Sequence, residues 1–246
     1  MRGGRCFPLT VSDNYSRKLL CCHGLASTAY AGVWPQFERL FAENGMPWSI
    51  LSDNGAPFAA RSLGGLSRLS KQFIDLDIRV ERTNPGHPEQ NGRHERMHRS
   101  LKAWLAGVDS VREELSTLRM RLDAFMKEYN EERMHEGLGG AVPSALYRPS
   151  PRAYTGRIVP YEYDSQAIIR SVRQSGEIKW RGRMVHASAL LAGERIALLP
   201  YGDGVWEVRY RFHPLGFLND RTGRIEPLTQ WREIARPETP RCKQRV

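Results

Sequence analysis

The sequence predicts a mixed α/β core followed by a small all-β barrel, and three observations carry that prediction. Short apolar runs alternate with amphipathic segments of helical spacing as far as residue 146, the pattern of a mixed sheet covered by helices. A polar, Tyr-rich stretch then breaks the pattern at Pro149, Pro151, Gly156 and Pro160. Beyond it, short β-like runs follow one another at close spacing, with turn residues between them. The expected organisation is a core over 1–146, a linker over 147–164, a small β-barrel over 165–235 and a basic tail over 236–246. A chain of 246 residues is long enough to bury a core in each of two such units.

Taken in order, Pro8–Val11 and Lys18–Leu25 read as strands joined by the polar turn Ser12-Asp13-Asn14-Tyr15-Ser16-Arg17. Asp13 is the type of residue that holds such a turn by local hydrogen bonds. Val33, Phe37, Leu40 and Phe41 recur at helical spacing, with Ser27 and Thr28 as caps and Gly45 and Pro47 as the stop. Pro35 predicts that this helix starts near it or kinks there. Trp48–Ser52 is a short apolar strand that ends with a carboxylate, Asp53, at its tip. Leu66, Leu69, Phe73 and Leu76 predict an amphipathic helix over 63–76, and Ile78–Arg82 a strand. The Pro/Gly/Asn loop 84–92 then turns into a helix, from about Gln90 to Leu105, with Glu95 in its first turns. A second helix follows from about Ser110 to Glu131.

In the β half, Ile178-Lys179-Trp180 and Met184-Val185-His186 flank Arg181-Gly182-Arg183 as a hairpin. Trp206, Val208, Tyr210 and Phe212 alternate with Glu207, Arg209 and Arg211, one face apolar and one charged. Gly202-Asp203-Gly204 and Asn219-Asp220 supply further turns, giving a barrel of about five strands. Trp180, Trp206 and Trp231 have faces on which bases could stack, but aromatic stripes in small barrels are core, and Trp206 shares its face with apolar neighbours.

The formal charge of +10 favours a polyanionic partner, nucleic acid before membrane surface. Arg241, Lys243 and Arg245 in the tail add nonspecific affinity for DNA. Cys6, Cys21, Cys22 and Cys242 lack CxxC spacing, which argues against a cysteine zinc site or a disulfide framework. Cys21 and Cys22 lie in an apolar run and read as core thiols of a reducing compartment. No apolar run approaches the roughly 20 residues that span a bilayer, and Met1–Arg5 lead into no signal-peptide core. The expected location is the cytoplasm, with no membrane partner.

Asp53 and Glu95 are acids on different elements that can converge on one dication. Phosphoryl transfer on DNA needs charge neutralised at the attacked phosphate and at the leaving oxygen, and carboxylate-bound Mg²⁺ does both. Arg93, Arg96, Arg99 and Lys102 fall at steps of three on the same helix, a basic stripe suited to phosphate contact. His94-Glu95-Arg96-Met97-His98 is also a literal HExxH, which read alone would make a zinc metalloprotease with Glu95 as general base. No third ligand follows at a recognisable spacing and the basic stripe crowds the site, so that match reads as chance. His87 reads as a local hydrogen-bonding residue of the loop.

Ser52-Asp53-Asn54-Gly55-Ala56-Pro57-Phe58, Asn84-Pro85 through Gln90-Asn91-Gly92, and Glu95 on its basic helix together resemble the catalytic core of retroviral-type integrases and bacterial insertion-sequence transposases. These are DDE polynucleotidyl transferases on an RNase H-like fold. Val11–Arg17 looks like the second core strand and its turn, and Tyr129-Asn130 with Arg133 and His135 like the end of the core. The segment from about Gly176 to Arg224 resembles the C-terminal barrel of the same transposases, so the resemblance covers most of the chain.

The resemblance implies that Asp53 and Glu95 are catalytic and hold Mg²⁺ or Mn²⁺. It implies that Gln90, Asn91 and Gly92 approach DNA, beside Arg93, Arg96, Arg99 and Lys102. It implies DNA as partner, both transposon ends and target, and a homo-oligomer in the synaptic complex. The family's first catalytic Asp lies on a strand upstream of the segment matching Pro8–Arg17, and Met1–Phe7 contain no acid. The expectation is therefore an N-terminally truncated core with impaired DNA cleavage and strand transfer. The competing expectation is an inactive DNA-binding remnant, or an inhibitor of a full-length transposase.

Overall fold

The computed structural model describes residues 6–53, 55–60, 62–83, 92–106 and 113–228. The chain divides into two units, Met1–Phe58 with Leu76–Ile158, and Ala59–Asp75 with Val159–Val246. The second unit thus takes its N-terminal piece from between two strands of the first.

In the first unit, β1 (Phe7–Ser12) and β2 (Leu19–Leu25) pair antiparallel. Asp13 closes their turn by accepting from the Ser16 backbone N–H and hydroxyl, both at 2.7 Å. Its carboxylate is spent locally, as the sequence suggested. Helix α1 (Tyr30–Asn44) buries Val33, Phe37, Leu40 and Phe41, the predicted stripe. The helix begins well ahead of Pro35, which costs one ladder hydrogen bond inside it. Ser27 and Thr28 do not cap it: Ala29 is the N-cap, and the Ser27 hydroxyl accepts from the Ala29 N–H at 3.1 Å.

Strands β3 (Ser49–Ser52) and β4 (Arg79–Arg82) pair in parallel. The single mixed sheet expected from the sequence is not formed among the described residues. β1–β2 and β3–β4 are separate two-stranded sheets, because no ladder joins one pair to the other. Helices α3 (Gly92–Trp104) and α4 (Leu115–Glu131) supply most of the cover. Met97 and Leu101 of the first pack with Leu118, Leu122 and Phe125 of the second, against Leu19 and Cys22 of β2. Burial pushes the Cys22 thiol up to about 12, so it is an inert core residue.

One buried side chain fastens α4 to β2. Asn130 accepts from the Leu19 N–H and donates to the Leu19 carbonyl, each at 2.8 Å, completing the backbone pairing where the strand begins. Asn130→Ala strands both backbone groups away from water. The expected cost is about 2–4 kcal/mol, read as a lower midpoint in urea unfolding, whereas Asn130→Asp should be partly tolerated at low pH.

Past the short helix α5 (Pro143–Leu146), the stretch read as a linker is bound to this unit as far as Ile158. Arg152 donates to the carbonyls of Pro47, Leu76 and Asp77 at 2.6, 3.2 and 3.1 Å and lies over the Trp48 ring. The Tyr154 hydroxyl reaches Glu38 at 3.2 Å.

In the second unit, the helix predicted over 63–76 is split. A 3₁₀ turn, Leu63–Gly65, precedes α2 (Arg68–Asp75), and Ser67 and Ser70 exchange side chain-to-backbone hydrogen bonds at its start. Gly64 has φ 62°, and a Cβ there would sit 2.8 Å from the Pro214 carbonyl oxygen, so only glycine fits. Lys71 bridges Asp75 and Glu194, both at 2.8 Å, and the Tyr210 hydroxyl donates to Asp75.

The strands here are β5 (Ile168–Ser171), β6 (Glu177–Trp180), β7 (Arg183–His186), β8 (Arg195–Gly202), β9 (Val205–Tyr210), β10 (His213–Asn219) and β11 (Arg224–Glu226). Five form one antiparallel sheet in the order β11-β10-β9-β8-β5, and β6–β7 is a separate hairpin. No closed barrel exists among the described residues, a correction to the sequence reading. The edge strands β5 and β11 are four and three residues long, and the hairpin lies beside both without extending the ladder.

Strand β9 ends at Tyr210, so Phe212 falls in the turn and leaves the alternating face that Val208 and Tyr210 bury. Trp180 and Trp206 direct their indole N–H groups inward to Asp220, at 2.6 and 3.1 Å. Burial would raise the Asp220 carboxyl, but the two indoles and Arg181 outweigh it and hold the group below its usual range. Trp231 and the tail 236–246 lie outside the described residues. No helix among the described residues is long and apolar enough to cross a membrane.

Candidate carboxylate and nucleic-acid site

Alternation along β1 puts Thr10 and Ser12 on one face, and helical spacing puts His94 and His98 on one face of α3. These two faces meet. The Thr10 hydroxyl lies 3.0 Å from Nε2 of His94 and 3.0 Å from Nε2 of His98. Ser12 Oγ lies 3.2 Å from His94 Nδ1, and the two imidazole rings are edge to face at 4.7 Å. A hydroxyl can donate to one ring and accept from the other, so Thr10 links both.

Burial lowers the His94 pKa to about 4, helped by the neighbouring His98 and opposed by Asp53. His98 is lowered as well, by burial and then by Lys102, again opposed by Asp53. The Asp53 charge opposes burial at both rings. Asp53 is exposed just past β3, where one oxygen accepts from the Gly55 N–H at 3.1 Å in an Asx turn. Glu95 is exposed in the first turn of α3, next to His94 in the chain.

Both acids offer hard oxygen donors to solvent, the donor type that Mg²⁺ or Mn²⁺ takes while keeping much of its water. In that chemical sense the pair fits such an ion. Among the described residues, no three of His, Cys, Asp and Glu are grouped as a metal centre.

The predicted basic stripe divides in two. Arg93 is partly spent on the β1–β2 turn, donating to the Asn14 carbonyl at 2.7 Å and its side-chain oxygen at 3.3 Å. Arg96, Arg99 and Lys102 stay exposed. Arg99 borders a shallow depression shared with Trp104, Phe125, Glu128 and Arg133. Gly92 opens α3, while His87, Gln90 and Asn91 lie outside the described residues.

Sequence reasoning named Asp53 and Glu95 as candidates and did not single out Thr10 and Ser12. Their alternation in β1 was visible, yet nothing in the sequence said which helix face they would meet.

The folded imidazoles bind protons less readily than unfolded ones. As pH falls, the unfolded chain takes them up first, so stability is full above 6.5 and, for His94, is lost down to about 4. Allowing for partial exposure, the loss is about 2 kcal/mol. Thermal unfolding across that window should show the midpoint falling with pH, and a shallower fall in His94→Asn.

Residues 76–143 match a family model described as Integrase core domain. The match contains Glu95 and the basic face of α3 and begins beyond Asp53. Among solved structures, the chain is similar to the catalytic core domain of BIV integrase, at 21% identity over 60% of this chain and 88% of that one, with a TM-score of 0.45. It is similar to the HTLV-2 integrase catalytic core domain solved in complex with magnesium, at 13% identity over 58% and 92%, TM-score 0.40. It is also similar to a chain of the simian T-cell lymphotropic virus intasome in complex with PP2A regulatory subunit B56 gamma, at 16% identity over 86% and 76%, TM-score 0.46.

Proposed function

We propose that this chain acts on DNA in integration or transposition, as the core of a DDE-type transposase of the insertion-sequence kind. One observation carries the reading. Asp53 is exposed just past the tip of β3, and Glu95 is exposed in the first turn of a helix that also exposes Arg96, Arg99 and Lys102. The match of residues 76–143 to an Integrase core domain supports it.

In this reading Asp53 and Glu95 would hold Mg²⁺ or Mn²⁺. Such an ion would supply charge neutralisation at the attacked phosphate. Arg96, Arg99 and Lys102 receive the phosphate backbone through charge-assisted hydrogen bonds, which fix the register of DNA without reading its sequence. Arg93 holds the start of the helix to the β1–β2 turn. Gln90, Asn91 and Gly92 approach the DNA ahead of the helix. The core is the segment to residue 146, the β unit adds DNA or subunit contacts, and a homo-oligomer brings two element ends and the target together.

A second reading is favoured by one finding: no three potential ligands are grouped among the described residues. In that reading the chain binds DNA, or subunits of a complete transposase, without cleaving. Incubating the chain with duplex DNA and Mn²⁺ separates the two. Metal-dependent nicking or end joining that Asp53→Asn removes supports catalysis, and tight binding with no strand breakage supports the second reading. Failure to bind DNA at all would contradict both.

A further inference from the structure

We propose that the depression between α3 and α4 holds one unpaired nucleotide of DNA, its base stacked on Trp104 and its phosphates met by Arg99 and Arg133. The depression has a volume of about 450 Å³, within the range of pockets that take small organic ligands. Arg99 and Trp104 reach it from α3, Phe125 and Glu128 from α4, and Arg133 from just beyond α4.

Trp104 is the last residue of α3 and is 44% exposed, an indole left open to solvent at the edge of a buried core. The ring is held in place. It packs at 6.0 Å against Phe125, which is buried and packs in turn against Tyr129 at 5.6 Å. A flat aromatic surface on a firm support is what an unpaired base stacks on, and every base has a π face to offer it.

Charge selects the occupant. Arg99 and Arg133 are exposed, and among the described residues neither guanidinium has a carboxylate partner. A second copy of this chain, formally +10, would bring like charge to them, whereas a nucleotide brings phosphate. Glu128 repels phosphate from its side of the depression and offers an acceptor to the N–H groups that a base frees when it is unpaired. Arg99 stands one helical turn from both Glu95 and Arg96, so a strand lying along that face of α3 runs into the depression. The inference rests on the DNA reading and adds the form of the DNA, a duplex with an unpaired end.

The test measures, by anisotropy, the affinity of the full chain for a blunt duplex, for the same duplex with a short single-stranded overhang, and for one whose overhang is abasic. The base-bearing overhang should bind about 10-fold or more tightly than the abasic one, which has the same phosphates. That ratio should hold as salt rises, because stacking releases no counterions. Trp104→Ala should abolish the ratio and Trp104→Phe should keep most of it, while Arg133→Gln should weaken both overhangs alike. Equal binding of the two overhangs by the wild-type chain would overturn the site, and this arm stands even if Trp104→Ala fails to fold. An unchanged ratio in Trp104→Ala, or self-association without DNA that Trp104→Ala removes, would overturn it too. Firm binding of the blunt duplex with no base-dependent ratio removes the nucleotide site alone, and failure to bind any of the three removes the DNA reading with it.

Discussion

Asp53→Asn and Glu95→Gln are each expected to lower metal-dependent strand transfer by about a thousandfold or more, the scale of several kcal/mol that a bound dication contributes. Both changes keep size and shape and remove a negative charge, so packing is barely disturbed. Both side chains are exposed, which argues against a large effect on folding. DNA affinity should be kept or should rise, because an anion facing phosphate has been removed. The assay is the joining of a 3′-hydroxyl end to a target duplex, with binding measured in parallel. Transfer rates unchanged in either variant would show that other residues hold the ion.

The second large effect concerns the basic face of α3. Replacing Arg96, Arg99 and Lys102 together by Ala should weaken duplex binding by about 100-fold at moderate salt. It should also flatten the dependence of log K on log salt by about 2–3, close to one for each phosphate deprived of its cationic partner. Arg93→Ala should act differently. It releases the start of α3 from Asn14, so it should lower thermal stability as well as affinity. An anisotropy titration at several salt concentrations checks both, and an unaltered slope in the triple variant would remove α3 from the interface.

The parts of this molecule that could be read in the sequence were those set by short-range chemistry. The stripe of α1, the hairpin β1–β2 with Asp13 in its turn and the β6–β7 hairpin around Arg181-Gly182 were all visible in residue order. Long-range pairing was not. Nothing in Arg68–Asp75 says that this helix packs with the C-terminal strands, through Lys71 to Glu194 and Asp75 to Tyr210. The alternation in β9 predicted burial correctly for Val208 and Tyr210 and failed at Phe212, where a turn ends the strand. Counting short strands suggested a barrel, but closure depends on ladders between edges, which alternation does not encode.

The site shows the same division. Asp53 and Glu95 were singled out by the motifs around them, Ser52-Asp53-Asn54-Gly55 and Gln90-Asn91-Gly92, because two acids so far apart in the chain carry little by themselves. The meeting of Thr10 and Ser12 with His94 and His98 depends on which faces of β1 and α3 oppose each other. A histidine pair that looked like a chance motif is instead part of the hydrogen bonding that positions the helix.

The most direct test of a single DNA- and ion-directed site is the coupling between the two partners. Duplex affinity is measured with and without Mg²⁺ at matched ionic strength, for the wild-type chain and for Asp53→Asn with Glu95→Gln. If these carboxylates hold the ion against the phosphate backbone, Mg²⁺ strengthens binding of the wild type, and by linkage DNA strengthens binding of Mg²⁺. The double variant should then bind DNA tightly without the ion and show no such response. Equal responses to Mg²⁺ in both chains would mean that Asp53 and Glu95 do not join ion and DNA, and would contradict the account.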